Sequence, residues 1–254
     1  THLRVAEKFK DRFDEESFNW FLIGSIAPDA GVVDHENKTY HPSTEISHYR
    51  NRALPGRWKT QNLEFYYDHV APSSSMNETA FKLGYFIHLF LDDLWGFYLY
   101  KPLKAKYRKE VEADKLYFWD KKENWAYADF LFLEKNQAWD IWERFAHLSY
   151  NNDWLDFYPA SAINSKLNSI RDYYNHDKRH REEESLMSAE RVGKLISLSH
   201  FWISRGLDML NVGISGEYQT VMVLMESTFD SFKADFVDSG NLERDYRSFC
   251  HERH

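Results

Sequence analysis

The sequence predicts an all-α fold, a single-domain multi-helix bundle, and three observations carry that expectation. Apolar residues recur at three- and four-residue spacing over most of the chain, the period of a helix with one buried face. Period-two alternation, the mark of a half-buried strand, is weak throughout. Helix breakers are sparse: ten Gly and six Pro in 254 residues, with every proline before residue 160. Helices packed on helices are the natural arrangement for such a chain.

The first helix is expected over about residues 2–13, with Leu3, Val5, Ala6, Phe9 and Phe13 as its apolar positions. A second, almost wholly apolar piece covers about residues 16–26 and is stopped by Pro28. From about Ala27 to Gly56 the helical period is lost, and Pro28, Pro42 and Pro55 all fall there. A short amphipathic helix over about 60–70 carries Leu63, Phe65, Tyr66 and Tyr67. Pro72-Ser73-Ser74-Ser75 reads as a loop, and Asn77 as the N-cap of a long helix reaching about Tyr100, before Pro102. Further helices are expected near 123–148, 160–174, 186–210 and 217–237, the last two separated by Gly213 and Gly216. Ser188-Ala189-Glu190-Arg191 lacks the third-position acid of a capping box. Asn175–Glu184 is polar and of mixed charge, and reads as a solvated loop or a hinge.

Composition excludes several classes. With a net charge of -8 and a pI near 5.8, the chain is a poor non-specific binder of nucleic acid or anionic membrane. It contains no run of about 18 apolar residues, so no membrane span is expected. Cys250 is the single cysteine, which rules out an internal disulfide framework and suits a reducing compartment. With no signal-peptide pattern in the sequence, a cytoplasmic protein is the expectation. The sequence opens on Thr1 rather than Met, which leaves room for preceding residues. There is no P-loop, dinucleotide fingerprint or Gly-x-Ser-x-Gly elbow.

The chemistry concentrates in the run Gly84–Trp95. Inside a greasy aromatic stretch it carries His88 and, four residues later, Asp92. Residues at i and i+4 share a helix face, so the two side chains converge from an apolar wall. A buried carboxylate costs several kcal/mol unless it is paired or binds a metal. His2, Asp29 after Pro28, and the loop histidines His41 and His48 could join them. Histidine and carboxylate ligands with no thiolate suit zinc in a catalytic site, or manganese or iron. Alone, each is unremarkable: His2 as a terminal residue, Asp29 as a turn residue, His41 and His48 as surface loop residues. Asp93 points about 100° away from Asp92 around the helix, as a partner to a ligand or a salt-bridge residue.

Other histidines carry less. Glu45-x-x-His48 is half of a di-iron signature, and a second Glu-x-x-His does not occur. His200, beside Phe201 and Trp202, reads as a satisfied core or partly buried histidine, with Asp208 two turns on able to pair with Arg205 or Arg191. His176 and His180 sit among Lys178, Arg179 and Arg181, more like a solvated loop than a ligand pair. The aromatic run Trp125–Phe132 reads as core.

Taken together, Thr1-His2, Phe21-Leu22-Ile23-Gly24-Ser25-Ile26-Ala27-Pro28-Asp29, Ser47-His48-Tyr49 and Gly84-Tyr85-Phe86-Ile87-His88-Leu89-Phe90-Leu91-Asp92 resemble the zinc-dependent phospholipase C family over about the first 100 residues. Its members share an N-terminal histidine, a Gly-x-x-x-Pro-Asp turn, a loop histidine and a Gly-Tyr-x-x-His-x-x-x-Asp helix. The resemblance implies an all-α fold with zinc at the centre of the bundle. Asp29, His48, His88 and Asp92 would hold one ion, and His2, with Asp92 bridging, would help hold a second. His48 has the family-like Ser-His-aromatic context, while His41 lies closer to Asp29. The family's further His and His-x-x-x-Glu ligands have no counterpart, since residues 94–146 contain no histidine. One or two ions are therefore expected. Residues 1–101 would form the metal-binding core and 102–254 a helical remainder covering it.

The implied activity is hydrolysis of a small phosphoester or a phospholipid head group by a metal-activated water. Arg50, Arg52 and Arg57 would neutralise phosphate oxygens or simply be solvated. Asp93 and His69 are the candidates for protonating the leaving group. The competing reading is a non-catalytic helical protein whose metal is structural, or which binds a partner.

Overall fold

The computed structural model describes residues 1–34, 39–50, 61–114, 117, 126–176 and 189–210. Helices dominate them, as expected for an all-α chain. The first expected helix is shorter than its apolar pattern: α1 spans His2–Glu7, and a separate 3-10 turn covers Lys10–Arg12. α2 spans Glu15–Gly24. Asp14 caps it by accepting from the Ser17 backbone N–H at 2.7 Å, and Glu15 and Glu16 complement the positive end of the helix dipole.

The stretch expected to be irregular contains regular pieces too short to show a period. A 3-10 turn covers Ala27–Asp29, β1 spans Val32–Asp34, β2 spans Thr39–His41 and α3 spans Thr44–Ser47. The two strands pair antiparallel, Val32 opposite His41 and Asp34 opposite Thr39.

α4 covers Gln61–Phe65 and widens into a π turn over Tyr66–Val70, where the Ala71 N–H reaches the Tyr66 carbonyl at 2.9 Å. α5 is the long helix, Met76–Trp95. Its cap is Ser75 rather than Asn77: the Ser75 hydroxyl accepts from the Glu78 N–H at 3.2 Å. Asn77 instead joins two helix starts, donating to Glu16 Oε1 at 2.7 Å and accepting from Ser17 Oγ at 3.1 Å. Beyond Trp95 the coil does not stop before Pro102. It continues as a π turn over Gly96–Tyr100 and as α6, Lys101–Lys106, with Pro102 in the first turn, where a missing N–H breaks no helical bond.

α7 spans Arg108–Ala113. The single helix expected over 123–148 is two, α8 Tyr127–Lys135 and α9 Asp140–Ala146. The break is at Asn136, whose side chain donates to the Phe132 carbonyl at 2.8 Å, a local bond that competes with helix continuation. α10 spans Ala160–His176 and α11 Ala189–Leu210. The helix expected over 217–237, residues 177–184 of the polar loop and the N-cap at Ser188 lie outside the described residues.

The core is built on the crossing of α2 and α5. A Cβ added to Gly24 would lie 1.9 Å from the Phe81 carbonyl oxygen, and one added to Gly84 would lie 2.2 Å from that of Phe21. Backbone therefore packs on backbone here, which only glycine allows. Stacked rings fill the space around it, Phe65 on Tyr85 at 4.4 Å and Phe81 on Tyr150 at 4.8 Å. α11 closes over α1, α5 and α8.

Candidate metal centre

α5 sets His88 and Asp92 one turn apart, and His88 is only 1 % exposed. Its Nδ1 lies 2.8 Å from the Ser25 carbonyl oxygen. Ser25 follows the last residue of α2, where helix carbonyls lack an intrahelical partner. The glycine contact at the crossing lets that carbonyl come close enough. A carbonyl only accepts, so Nδ1 carries the proton and Nε2 the lone pair. That Nε2 is buried and has no hydrogen-bond partner among the described residues. It lies 3.8 Å from oxygens of both Asp29 and Asp92.

Three further segments meet this point. The Pro28-containing turn presents Asp29, and the Tyr158 hydroxyl pins it by donating to the Pro28 carbonyl at 2.8 Å. His48 follows α3, with its Nδ1 2.9 Å from Ser47 Oγ. Its Nε2 lies 3.5 Å from Asp29 Oδ1 and 3.5 Å from Asp92 Oδ2. Directly after it Tyr49 adopts a left-handed φ of 53°, and the buried Tyr85 hydroxyl donates to the Ser47 carbonyl. His2 stacks on His88 with ring centroids 3.9 Å apart and planes 5° from parallel. Its Nε2 is 3.8 Å from Asp92 Oδ1, and its Nδ1 is buried without a hydrogen-bond partner among the described residues. Asp129 on α8 seats α1 for this, accepting from the Thr1 hydroxyl at 2.8 Å and from Arg4 at 2.9 Å.

Asp29, His48 and His88 form one ligand-like group; His2, His88 and Asp92 form another, with donor atoms in each within 4.8 Å of one another. Imidazole nitrogens, carboxylate oxygens and no thiolate, with a buried unpaired lone pair and a carbonyl fixing the tautomer, are the donor set and support that zinc takes. The residues fit that ion. A family model for zinc-dependent phospholipase C matches residues 1–158.

The chain belongs to the zinc-dependent phospholipase C family.

No curated protein and no solved structure matches it. The matched span carries all five residues expected to bind metal and stops short of α10 and α11. This zinc-dependent phospholipase C homologue has the His–Asp ligand pattern without a histidine over residues 94–146.

Electrostatics in the site favour ligation. Burial holds the His2 imidazole well below its ordinary pKa, helped by the neighbouring His88. Burial lowers His88 as well, against the pull of Asp92 and Asp29. Both rings are therefore neutral at pH 7, the form that binds metal. For Asp29 burial acts upward, but Lys166, His88 and His48 outweigh it and hold the carboxyl well below the usual range. The Asp29 side chain is 44 % exposed, so the cluster opens to solvent on that side.

Two cations border the cluster. Arg50 Nη2 is 3.1 Å from Asp92 Oδ2, so Arg50 is not a merely solvated loop residue. Lys166 Nζ is 3.9 Å from Asp29 Oδ2. Lys166 was not singled out from the sequence; the one local sign is its place beside the apolar stripe Ile163, Leu167 and Ile170, which many surface lysines share. Arg52 and Arg57 lie outside the described residues.

The other candidates sit apart. His41 is 77 % exposed on β2, with its Nε2 3.8 Å from Asp34 across the hairpin, so His48 is the loop histidine the fold brings in. Asp93 accepts from the buried Asn62 amide at 3.0 Å and belongs to neither ligand group. His69, in the π turn, is hydrogen-bonded to the Tyr49 hydroxyl and walled by Phe65 and Phe157. Burial and the Lys82 charge lower its pKa. His200 packs edge-on against Phe9 at 5.2 Å and is partly buried. His180 and the side chains of Arg205 and Asp208 lie outside the described residues.

Proposed function

We propose that the protein is a zinc-dependent phosphoester hydrolase of the phospholipase C type, acting on a small phosphoester or a phospholipid head group. The observation that carries this reading is the buried His88 Nε2, without a hydrogen-bond partner among the described residues, facing Asp29 and Asp92. Asp29, His48, His88 and Asp92 would hold one ion, and His2 with Asp92 would help hold a second. A neutral imidazole offers one lone pair, so His88 serves one ion although it belongs to both ligand-like groups. Bound zinc supplies Lewis acidity toward a phosphoryl oxygen and toward the attacking water.

The chain's own residues set the conditions. The Ser25 carbonyl orients His88, and the Ser47 hydroxyl orients His48. The exposed edge of Asp29 leaves an approach for substrate and water. For the leaving-group proton we favour Asp93 over His69. Asp93 adjoins Asp92 and is oriented by Asn62, whereas His69 is tied to the Tyr49 hydroxyl and walled by Phe65 and Phe157; to donate, Asp93 must carry a proton in the substrate complex.

A structural ion is the second reading. Structural zinc sites are usually closed, whereas catalytic ones keep an open position, and the exposure of Asp29 favours the catalytic one. Elemental analysis of protein purified without added metal, comparing wild type with Asp92→Asn, tests both. One or two zinc ions per chain, lost in the variant and accompanied by hydrolysis of a phosphodiester, a phosphomonoester or a phospholipid, are expected. Zinc binding without turnover on any of them, with a steep loss of thermal stability on chelation, would leave the structural reading. Failure to take up any metal would overturn both.

A further inference from the structure

Lys166 reaches the site from beyond the part of the chain that the family model matches. Its delivery is built in. The Tyr158 hydroxyl is tied to the Pro28 carbonyl, α10 begins two residues later, and α10 packs on the Ala27–Asp29 turn. Ile163 and Leu167 are buried on that helix, and Lys166 beside them is half-buried. At 3.9 Å from Asp29 Oδ2 its ammonium neutralises the carboxylate without a direct hydrogen bond. Arg50 approaches the other carboxylate, Asp92, using one of the five N–H donors of its guanidinium.

Charge balance shows what the two cations can do. The Asp29 and Asp92 carboxylates are cancelled by one divalent ion, and the histidines are neutral ligands. Lys166 and Arg50 then remain as two positive charges beside the centre, and a second ion would add to that surplus. A bound anion would neutralise it. We propose that Lys166 and Arg50 form an anion-holding pair that seats the phosphoryl oxygens of a substrate or of free phosphate against the metal ligands. The surplus selects a dianionic phosphoryl group, as in a phosphomonoester or inorganic phosphate, over a monoanionic diester. An Arg fork and a Lys point charge are the usual protein partners of such oxygens. The inference rests on the zinc-hydrolase reading for the ion, though not for the placement of the pair.

Calorimetric titration with inorganic phosphate tests it, on wild type, Lys166→Met, Arg50→Met and Lys166→Arg, with zinc per chain measured on the same samples. Phosphate binding should weaken about tenfold or more for each lost cation, with the zinc content unchanged and most of the affinity kept in Lys166→Arg. A water-soluble phosphodiester should bind the wild type more weakly than phosphate does and lose less on substitution; parity between the two would remove the dianion preference. Phosphate affinity unchanged in both Met variants, or zinc affinity raised with phosphate binding untouched, would reduce the pair to counterions of the ligands and overturn the proposal. No phosphate binding by the wild type would overturn it as well. If the wild type takes up no zinc, Asp29 and Asp92 cancel Lys166 and Arg50, and the hydrolase reading and the pair fall together; with zinc bound, the titration decides the pair whatever the activity.

Discussion

Gly24 and Gly84 meet where α2 and α5 cross: a Cβ on Gly84 would lie 3.1 Å from the Gly24 carbonyl carbon and 2.8 Å from the Ser25 nitrogen. The two glycines do more than save space. Their contact sets the Ser25 carbonyl on His88 Nδ1 and so determines which nitrogen of His88 faces the site.

Gly84→Ala should therefore cost both stability and metal. Overpacking against backbone atoms destabilises by about 1–3 kcal/mol. In a chain of this size each kcal/mol lowers Tm by about 2–4 °C. Zinc affinity should fall along with Tm, because the carbonyl that fixes His88 moves. Gly193→Ala is the contrast: a Cβ there meets nothing within 4 Å, and helix propensity predicts a gain of up to about 1 kcal/mol with zinc binding unchanged. Thermal melting and elemental analysis of both variants check this, and equal behaviour of the two would show that the crossing tolerates a methyl group.

Acid should destabilise the metal-free protein before any carboxylate titrates. His2, His88, His69 and His200 all have folded pKa values below the ordinary 6.5, chiefly through burial. As pH falls through that value the unfolded chain takes up protons that the fold resists, so stability falls with pH. The Asp29 contribution has the same sign and acts at lower pH. Its carboxyl sits below 3.8 in the fold, and the stability this confers is lost only as pH drops below that ordinary value. Denaturant midpoints should decline steadily from about pH 7.5 to about pH 5. A flat profile would mean that the rings are protonated inside the fold. Zinc affinity should weaken over the same range.

Asp93→Asn should lower kcat while zinc content and KM stay near wild type, because Asp93 lies outside both ligand groups. His69→Gln should change kcat little, yet lower Tm by a few degrees through loss of the Tyr49 hydrogen bond and the ring contacts in the π turn. The reverse pattern would move the proton donor to His69.

Glu78 and Lys82 form a buried ion pair on α5, and Glu78 also accepts from the Ser74 N–H at 2.9 Å and hydroxyl at 2.7 Å. Lys82→Met strands the carboxylate and should destabilise by about 3–5 kcal/mol, whereas Glu78→Gln combined with Lys82→Met should recover much of it. Urea unfolding of the single and double variants reads the difference, and additive effects would show that the pair is not coupled.

Short-range features were legible from residue order. The long helix, the i,i+4 placement of His88 and Asp92, and the stop at Pro28 that frees Asp29 each depend on a few neighbouring residues. Helical period, proline geometry and side-chain direction are encoded within a turn or two. The three-residue strands of the hairpin and the break at Asn136 escaped because no period can establish itself over so few residues, and because a side chain can compete with the helix bond.

The sequence by itself determined which residue types could bind metal and where on each element they stand. Only the tertiary structure decided which of them meet. His48 rather than His41 enters the cluster because it follows α3, whose Ser47 carbonyl the Tyr85 hydroxyl holds, while β2 carries His41 out to solvent. The partner of His88 Nδ1 is 63 residues away, at Ser25. Lys166 reaches Asp29 from a segment that carries no ligand motif, and Arg50, two residues after the loop histidine, reaches a carboxylate 42 residues away. Such contacts follow from how helix faces pack, from two glycines at a crossing and from a tyrosine that pins a turn. Residue order specifies these only through the whole folded chain.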